Sequence, residues 1–177
     1  MLALSSMRWL LGVTVLVGCG PASFSSSSDA GPGGDATGAC VAPYTSTPGG
    51  CYRFVPTLTP WLAAEQACES DAPDAHLVVV DSVDEHFTIH GLSSAAVDVW
   101  IAYSDRVVEG QLLWLTPGGI DPTPDPCFFG SATNSAAADC VTQDGGSQCG
   151  DWFYRDCNTL HAYVCERDGA PADPARY

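Results

Sequence analysis

The sequence predicts an α+β fold that is rich in disulfides, with two helices, short antiparallel sheets and a long loop. Three observations support it: two helix-start patterns lie between residues 59 and 91, short strand-like runs follow them, and nine cysteines occur in 177 residues. Separate helical and strand regions are typical of α+β domains. Because disulfides persist in oxidising compartments, the cysteine content also predicts export from the cytosol.

The composition is strongly acidic. The chain has 21 Asp and Glu residues against six arginines and no lysine, which gives a formal net charge of −15. Binding of nucleic acid through its phosphates needs a basic face, and this chain cannot assemble one. Nucleic acid is therefore excluded as a partner, while an apolar content of 46% is sufficient for a folded core.

The N-terminal residues have the pattern of an export signal. Arg8 precedes an apolar run over 9–17, which is too short to span a bilayer because a span needs about 20 residues. The tetrad Leu16-Val17-Gly18-Cys19 resembles the bacterial lipobox, in which the cysteine is lipidated and becomes the mature N-terminus. Residues 1–18 are predicted to be a lipoprotein signal peptide, with Cys19 as the lipidation site.

The lipobox resemblance also predicts where the protein resides. Gly20 rather than Asp follows the cysteine, which implies retention at the outer membrane or cell surface. Residues 19–39 are rich in Ser and Gly and predict a flexible tether with a reach of about 25 Å. The folded domain is then expected over 40–167, followed by a disordered tail over 168–177, and the lipid is the only predicted contact with a membrane.

The first helix is predicted to begin at Thr59-Pro60, because Thr can cap a helix and Pro is tolerated at its first position. Trp61, Ala64 and Cys68 follow at a spacing that places them on one face. This face is expected to be buried.

The second helix is predicted from the capping box Ser82-Val83-Asp84-Glu85. Val83 and Phe87 are expected to face inward together. Gly91 is expected to end the helix.

Short apolar or aromatic runs predict the strands. They are residues 77–80, 99–103, 111–115, 152–154 and 162–165. Between Pro117 and Gly150 the pattern gives way to Gly, Pro, Asp, Ser and Ala, and a loop of this length is usually functional or disordered. Its aspartates either form an unusual cation site or keep the loop soluble, and solubility is the simpler interpretation.

Assigning Cys19 to the lipid leaves an even number of cysteines, as expected for a fully bridged exported domain. Spacing alone does not select the pairs.

Several motifs in the correct order resemble those of the C-type lectin-like domain, from about Cys40 to Glu166. Ala102 and Tyr103 replace the Gly and Leu of the family's Trp-Ile-Gly-Leu motif. The residues that carry the resemblance are Trp61-x-x-Ala64-x-x-x-Cys68, residues 75–82 with Glu85, residues 100–103, Trp114, Gly118, Asp139-Cys140-Val141, Trp152 five residues before Cys157, and Tyr163-Val164-Cys165-Glu166.

The resemblance implies a disulfide pattern. It pairs Cys68 with Cys165 and Cys140 with Cys157, and it makes Cys40 and Cys51 the additional N-terminal bridge of the long form. Cys127 and Cys149, both in the long loop, are left as the fourth pair.

The resemblance also implies a place for calcium and sugar, which this sequence fills poorly. Sugar-binding members use oxygen ligands directly after the tryptophan at position 152, where this chain has Phe153 and Tyr154. In the loop, Thr123-Pro124-Asp125 lacks a glutamine oxygen, and Ala138 replaces a glutamate. The usual calcium-dependent sugar site is therefore predicted to be absent, and a calcium-dependent lectin with a rearranged site is the alternative.

A structural calcium ion is the one cofactor that the sequence leaves open. By resemblance to some relatives its ligands are Glu85, Glu166 and the carbonyl of Val79. In the alternative interpretation, Glu85 only closes the capping box and Glu166 is solvated.

The predicted function is a surface-displayed, non-catalytic module that binds a glycan or a protein at the long loop. Candidate ligand-binding residues are Asp125, Phe128, Phe129, Phe153 and Tyr154, because aromatic groups near a loop stack on sugars or anchor partners. Strand alternation places Phe153 opposite Trp152 and returns Tyr154 to the side of Trp152. Alternatively, the aromatic residues pack beneath the loop as a satellite core.

Two functions of other classes remain as alternatives. A zinc-dependent hydrolase would use His86 and His90, which lie at a chelating spacing but lack an evident third ligand. A purely structural envelope protein would give the loop no specific partner.

Overall fold

The computed structural model describes residues 40–93, 97–122, 128–129 and 134–177. All of them belong to the second of the chain's two units, Pro32–Tyr177. The predictions for the signal peptide, the tether, Cys19, Asp125 and Cys127 fall outside these ranges. Among the described residues, no helix is both long enough and apolar enough to cross a membrane.

The described residues form two α-helices and one mixed sheet, which confirms the α+β prediction. The helices are α1 (Trp61–Glu69) and α2 (Val83–Leu92), and a short 3-10 helix covers Pro174–Arg176. The strands are β1 (Thr45–Thr47), β2 (Gly50–Thr59), β3 (Ala75–Leu77), β4 (Val99–Ser104), β5 (Leu113–Trp114), β6 (Cys140–Gln143), β7 (Trp152–Arg155) and β8 (His161–Arg167). The sheet order is β1-β2-β8-β4-β6-β7, and β3 also pairs with β8 and β5 with β4.

Strand β8 holds the sheet together because it pairs with three others. Its pairs with β2 and β3 are antiparallel and its pair with β4 is parallel. The core beside it contains three tryptophans with no exposed surface: Trp61, Trp100 and Trp152.

Three strands, β1, β2 and β6, lie outside the runs that were predicted from the sequence as strands. Strand β2 contains Pro56, and its register with β8 shifts between Val55 and Thr59. Proline cannot donate to a ladder and is found in sheets at edges and irregularities, so it hides the strand pattern. Strand β6 lies inside the polar stretch that was predicted as one long loop.

Helix α1 buries the predicted face but begins differently. Trp61, Ala64 and Cys68 are fully buried, which confirms the face. The cap prediction is wrong, because Pro60 occupies the cap position and Thr59 ends β2 instead. The Thr59 hydroxyl donates to the Thr57 carbonyl (3.1 Å), so it does not cap the helix.

Helix α2 starts as predicted, with the Ser82 hydroxyl accepting the Glu85 N–H (3.2 Å). Its inward face was predicted wrongly: Val83 and Phe87 are 42% and 47% exposed. The buried side chains are two polar ones, Glu85 and His86, and the apolar Ile89. Hydrogen bonds of Glu85 and ring contacts of His86 hold this face toward the core. The pattern of apolar residues along the helix therefore does not identify the buried face. The helix continues past Gly91 to Leu92.

After β3, the chain stays buried to Val80. Val78 bonds to two strands on one side, because its N–H donates to the Val164 carbonyl (2.9 Å) and its carbonyl accepts the Ala102 N–H (2.8 Å). On the other side, alternate N–H groups from the last residue of β3 onward donate to buried glutamate side chains instead of to a strand. The three bonds are Leu77 N–H to Glu65 Oε2 (2.7 Å), Val79 N–H to Glu166 Oε2 (3.0 Å) and Asp81 N–H to Glu85 Oε2 (2.7 Å). Glutamates therefore take the place of a neighbouring strand along this edge.

The three disulfide pairs implied by the resemblance are confirmed. They are Cys40–Cys51, Cys68–Cys165 and Cys140–Cys157, with Cα–Cα distances of 5.6, 5.4 and 5.2 Å. Cys149 is also disulfide-bonded, but its predicted partner Cys127 lies outside the described residues. The Cys68–Cys165 bond fixes α1 to β8 across 97 residues of sequence.

The C-terminal segment was predicted to be disordered, but the structure shows it packed on the domain. The Tyr177 hydroxyl donates to Glu69 Oε1 (2.7 Å), and its ring meets Trp61 edge-on. The Asp173 N–H donates to the Leu115 carbonyl (3.0 Å). These contacts explain the order, which the small and polar residues before Tyr177 did not reveal.

Candidate functional site

An aromatic cluster lies where the ends of β4, β5 and β7 meet the long loop. Trp152 is fully buried at its centre. Around it, Tyr103 stacks on Trp114 (centroids 4.2 Å apart, 18° between planes), and Phe129 stacks on Tyr154 (5.0 Å, 17°). The cluster fixes the backbone beneath the loop because each ring contacts at least one other ring.

The predicted ligand-binding residues divide into three groups. Phe128 is 2% exposed and packs against Trp152 (4.7 Å), so it supports the loop from below and does not face a ligand. Phe129 and Tyr154 are half-buried and form one stacked pair. Phe153 lies beneath the Arg155 guanidinium (4.9 Å), away from that pair.

A group of buried oxygen atoms lies beside the aromatic cluster, and the sequence analysis did not identify it. Asp105 is 2% exposed, and its Oδ2 accepts from the Gly110 N–H (2.9 Å) and from Asn134 Nδ2 (2.6 Å). Four buried oxygen atoms have no hydrogen-bond partner within the described ranges: Asp105 Oδ1, Asn134 Oδ1, Asp139 Oδ1 and Ser104 Oγ. We call this set the loop oxygen cluster.

Strand pairing creates the loop oxygen cluster. Ser104 of β4 lies opposite Cys140 of β6. The residues just beyond, Asp105 and Asp139, are therefore neighbours, and the Asp105 N–H donates to the Asp139 carbonyl (2.9 Å). Desolvation and the Asp105 and Asp139 carboxylates raise the pKa of the exposed Glu109. In the sequence, Asp105 directly follows β4 and Asp139 directly precedes β6. Only the register of the two strands shows that these aspartates are neighbours.

The three residues predicted for structural calcium also lie together. Glu85 and Glu166 are both buried, which contradicts the interpretation that Glu166 is solvated. Glu85 Oε1 accepts from the Tyr52 hydroxyl, and Glu166 Oε2 accepts from the Val79 N–H. Burial raises the pKa of Glu85 to about 7, and burial together with the Glu85 charge raises that of Glu166 well above its ordinary range.

This pair of acids has the chemistry of a hard-cation site. Two adjacent buried carboxylates are both ionised only when a cation balances them, and without a cation they share a proton. Their oxygens are the ligand type that calcium prefers. The residues present therefore fit the ion, and the same geometry also fits a protonated pair.

The geometry does not support zinc at His86 and His90. The His86 ring is buried against Phe128 (4.7 Å) and Trp152 (5.6 Å), and its Nε2 lies 2.6 Å from the Cys149 carbonyl oxygen. His86 therefore belongs to the aromatic core. Within the described part of the chain, neither histidine occurs in a group of three or more metal-ligating side chains.

Comparisons with known proteins identify the family. The sequence matches the family described as Lectin C-type domain over residues 57–167. It is 29% identical over 122 residues to human C-type lectin domain family 17, member A, covering 67% of this chain but only 30% of that protein. It is 27% identical over 146 residues to echinoidin of Heliocidaris crassispina, covering 73% of this chain and 97% of that protein.

Solved structures agree with this result. The structure of a calcium-independent type II antifreeze protein has a TM-score of 0.59 and 25% identity, and the match covers 71% of this chain and 92% of that one. The fold is thus shared over most of the domain. This chain belongs to the C-type lectin domain family.

Proposed function

We propose that the protein is a lipid-anchored binding module, displayed at the outer membrane or cell surface, that recognises a glycan or a protein through the stacked pair Phe129 and Tyr154. The relatives it matches are lectins and lectin-like proteins, which supports binding rather than catalysis at the level of the family. The lipid anchor rests on the lipobox-like tetrad ending at Cys19.

The stacked pair is the observation that carries the proposal. Phe153 and Tyr154 follow Trp152, where the family resemblance implies oxygen ligands for calcium in sugar-binding members. Tyr154 keeps a partly exposed ring, held in place by Phe129. A rigid, half-exposed aromatic pair loses little entropy on binding and is suited to stacking on a sugar ring or anchoring a protein side chain.

A matched pair of variants tests this proposal. The full-length protein is applied to glycan and protein arrays in EDTA and in CaCl2. Tyr154→Ala should weaken binding by about 30-fold, the size expected for an aromatic hot spot of about 2 kcal/mol. Phe153→Ala is the control, because it removes a neighbouring ring of the same strand that points elsewhere.

Equal losses in both variants, or no loss in Tyr154→Ala, would refute the assignment of the surface. Failure of every array ligand to bind would leave the structural envelope role as the better interpretation.

The loop oxygen cluster favours a second candidate, a calcium-dependent lectin with a rearranged site. Unpartnered buried oxygens are costly, and a hard cation would satisfy several at once. Asp105 and Asp139 would hold the ion together with the Asn134 amide oxygen, and the ion would supply fixed positive charge beneath the loop. The chain's own contribution is to hold these oxygens in place through the pairing of β4 and β6.

The two candidates differ in their response to chelation. In the second, EDTA abolishes ligand binding, and Asp105→Asn removes both calcium binding and ligand binding. Asp144→Asn is the control, since Asp144 lies in the same stretch and its Oδ1 accepts the nearby Gly146 N–H (2.6 Å). Retained binding in EDTA would exclude the second candidate and leave the first.

A further inference from the structure

Three metal-ligating side chains converge at the end of β8, away from the residues used above for ligand binding. They are His76, Glu166 and Asp168, and one ligand atom from each lies within 4.8 Å of the others. His76 and Glu166 are buried, whereas the side chain of Asp168 is 35% exposed. The group is therefore closed on the protein side and open to solvent on the other.

Strand register brings the three together. His76 of β3 lies directly opposite Glu166 of β8. Asp168 follows the last residue of β8, and its Oδ1 lies 3.2 Å from His76 Nε2. Each residue thus comes from a position fixed by the sheet or immediately adjacent to it.

Each of the three side chains is also oriented by a backbone group. His76 Nδ1 lies 2.7 Å from the Leu77 carbonyl oxygen, so the Nδ1–H donates there and leaves Nε2 directed at the acids. Glu166 Oε2 accepts from the Val79 N–H (3.0 Å), and Asp168 Oδ1 accepts from the Ala170 N–H (2.7 Å). Metal-ligating histidines usually donate their second ring N–H to a carbonyl or carboxylate, and ligating carboxylates are usually hydrogen-bonded in turn.

We propose that His76, Glu166 and Asp168 form a binding site for a divalent transition-metal ion, with Zn²⁺ as the favoured occupant. An imidazole nitrogen favours Zn²⁺ over the hard ions Ca²⁺ and Mg²⁺, which prefer oxygen ligands. Three protein ligands leave a fourth position for water on the exposed side. The bound ion would tie the C-terminal segment to β3.

The site is distinct from the predicted structural calcium site, although both use Glu166. The calcium trio adds Glu85 and the Val79 carbonyl, which are oxygen donors only. The transition-metal site adds a nitrogen donor. The choice between Zn²⁺ and Ca²⁺ therefore distinguishes the two.

The experiment uses the full-length, disulfide-bonded protein after EDTA treatment and dialysis. Zn²⁺ is titrated by calorimetry, and Co²⁺ is followed by its visible absorption. We expect one Zn²⁺ per chain at this site and a loss of affinity of at least about tenfold in Asp168→Asn. This variant keeps the side-chain oxygen that accepts the Ala170 N–H, and the position is partly exposed, so folding should be retained.

Asp173→Asn is the matched control. Asp173 Oδ1 accepts the N–H two residues further on, from Ala175 (3.0 Å), as Asp168 does, but its Oδ2 pairs with Arg176 (3.3 Å) and not with a histidine. Its affinity for Zn²⁺ should equal that of the parent. In ¹⁵N spectra of the histidine rings, Zn²⁺ should shift the Nε2 signal of His76, and His76→Gln should remove that shift.

Three results would overturn the proposal. The first is no stoichiometric Zn²⁺ binding, which would leave only the hydrogen-bonded pair of His76 and Asp168. The second is equal Zn²⁺ affinity in Asp168→Asn and Asp173→Asn. The third is displacement of Zn²⁺ by an equal concentration of Ca²⁺.

Discussion

Glu65 should control part of the pH dependence of folding, because its carboxyl group is fully buried in α1. Its Oε2 accepts the Leu77 N–H, and its Oε1 is buried without a hydrogen-bond partner among the described residues. Burial raises the pKa of Glu65 from its ordinary 4.5 to about 7. The ionised form is therefore disfavoured in the folded protein.

The sign and size of the effect follow from proton linkage. Between pH 4.5 and about 7 the folded state binds more protons than the unfolded state, so stability falls as pH rises through that range. One pKa unit corresponds to about 1.4 kcal/mol, and the difference for Glu65 therefore corresponds to a loss of about 3 kcal/mol that is complete above pH 7.

Glu65→Gln should remove this component. The glutamine oxygen can still accept the Leu77 N–H, but the side chain no longer ionises. The free energy of unfolding of the variant, relative to that of the parent, should rise by about 3 kcal/mol from pH 5 to pH 8. The NH2 group of the glutamine replaces the unpartnered Oε1 and costs some stability at both pH values. Urea unfolding in EDTA with disulfides intact, at several pH values, measures the difference.

Glu69→Gln is the control, since Glu69 lies one turn further along the same helix and is only partly buried. Parallel stability curves for the parent and Glu65→Gln across this pH range would refute the reasoning. Such a result would mean that Glu65 keeps its charge through a partner or a rearrangement.

Three further predictions concern the Cys68–Cys165 disulfide, the C-terminal residue Tyr177 and the lipidation site Cys19. Replacing both Cys68 and Cys165 with Ala should lower the free energy of unfolding by about 2–5 kcal/mol, measured by urea titration, because the bond closes a loop of about 100 residues; a change below 1 kcal/mol would contradict this. Tyr177→Ala should cost about 2 kcal/mol in the same assay through the lost bond to Glu69 and the lost ring contact, whereas a disordered tail would show no change. Cys19→Ser should move the protein from the membrane fraction to the soluble fraction on fractionation, and an unlipidated parent N-terminus in mass spectrometry would disprove the anchor.

The scaffold could be predicted from the sequence because it depends on local patterns and on motifs that resemble those of a known family. The spacing of Trp61, Ala64 and Cys68 gave the buried face of α1, and the capping box gave the start of α2. The disulfides followed from a family resemblance and not from spacing, since the cysteine positions alone permit many pairings.

The inward face of α2 could not be predicted from the pattern of apolar residues. A count of apolar residues selects Val83 and Phe87, yet the helix buries Glu85 and His86. A glutamate is rarely buried without partners, and the partners here are Tyr52 of β2 and the N–H of Asp81, which lies just before the helix. The information that sets the face lies outside the helix.

The loop oxygen cluster could not be predicted for a related reason. Asp105 and Asp139 are 34 positions apart and have no shared local pattern. Their proximity depends on the register of β4 with β6, and β6 itself was hidden in a polar stretch. A site built at the ends of paired strands becomes visible only once the pairing is known.

Although the protein is strongly acidic, it also buries three glutamates, which are Glu65, Glu85 and Glu166. Each uses one oxygen to accept a backbone N–H from residues 77–81, at the end of β3 or just after it, so each has a structural role that glutamine could fill. They differ in the second oxygen: that of Glu65 has no hydrogen-bond partner among the described residues, whereas Glu85 and Glu166 lie against each other. A cation could therefore be shared by Glu85 and Glu166, but Glu65 can only be protonated. We accordingly expect Ca²⁺ to abolish the pH dependence contributed by Glu85 and Glu166 and to leave that of Glu65 unchanged.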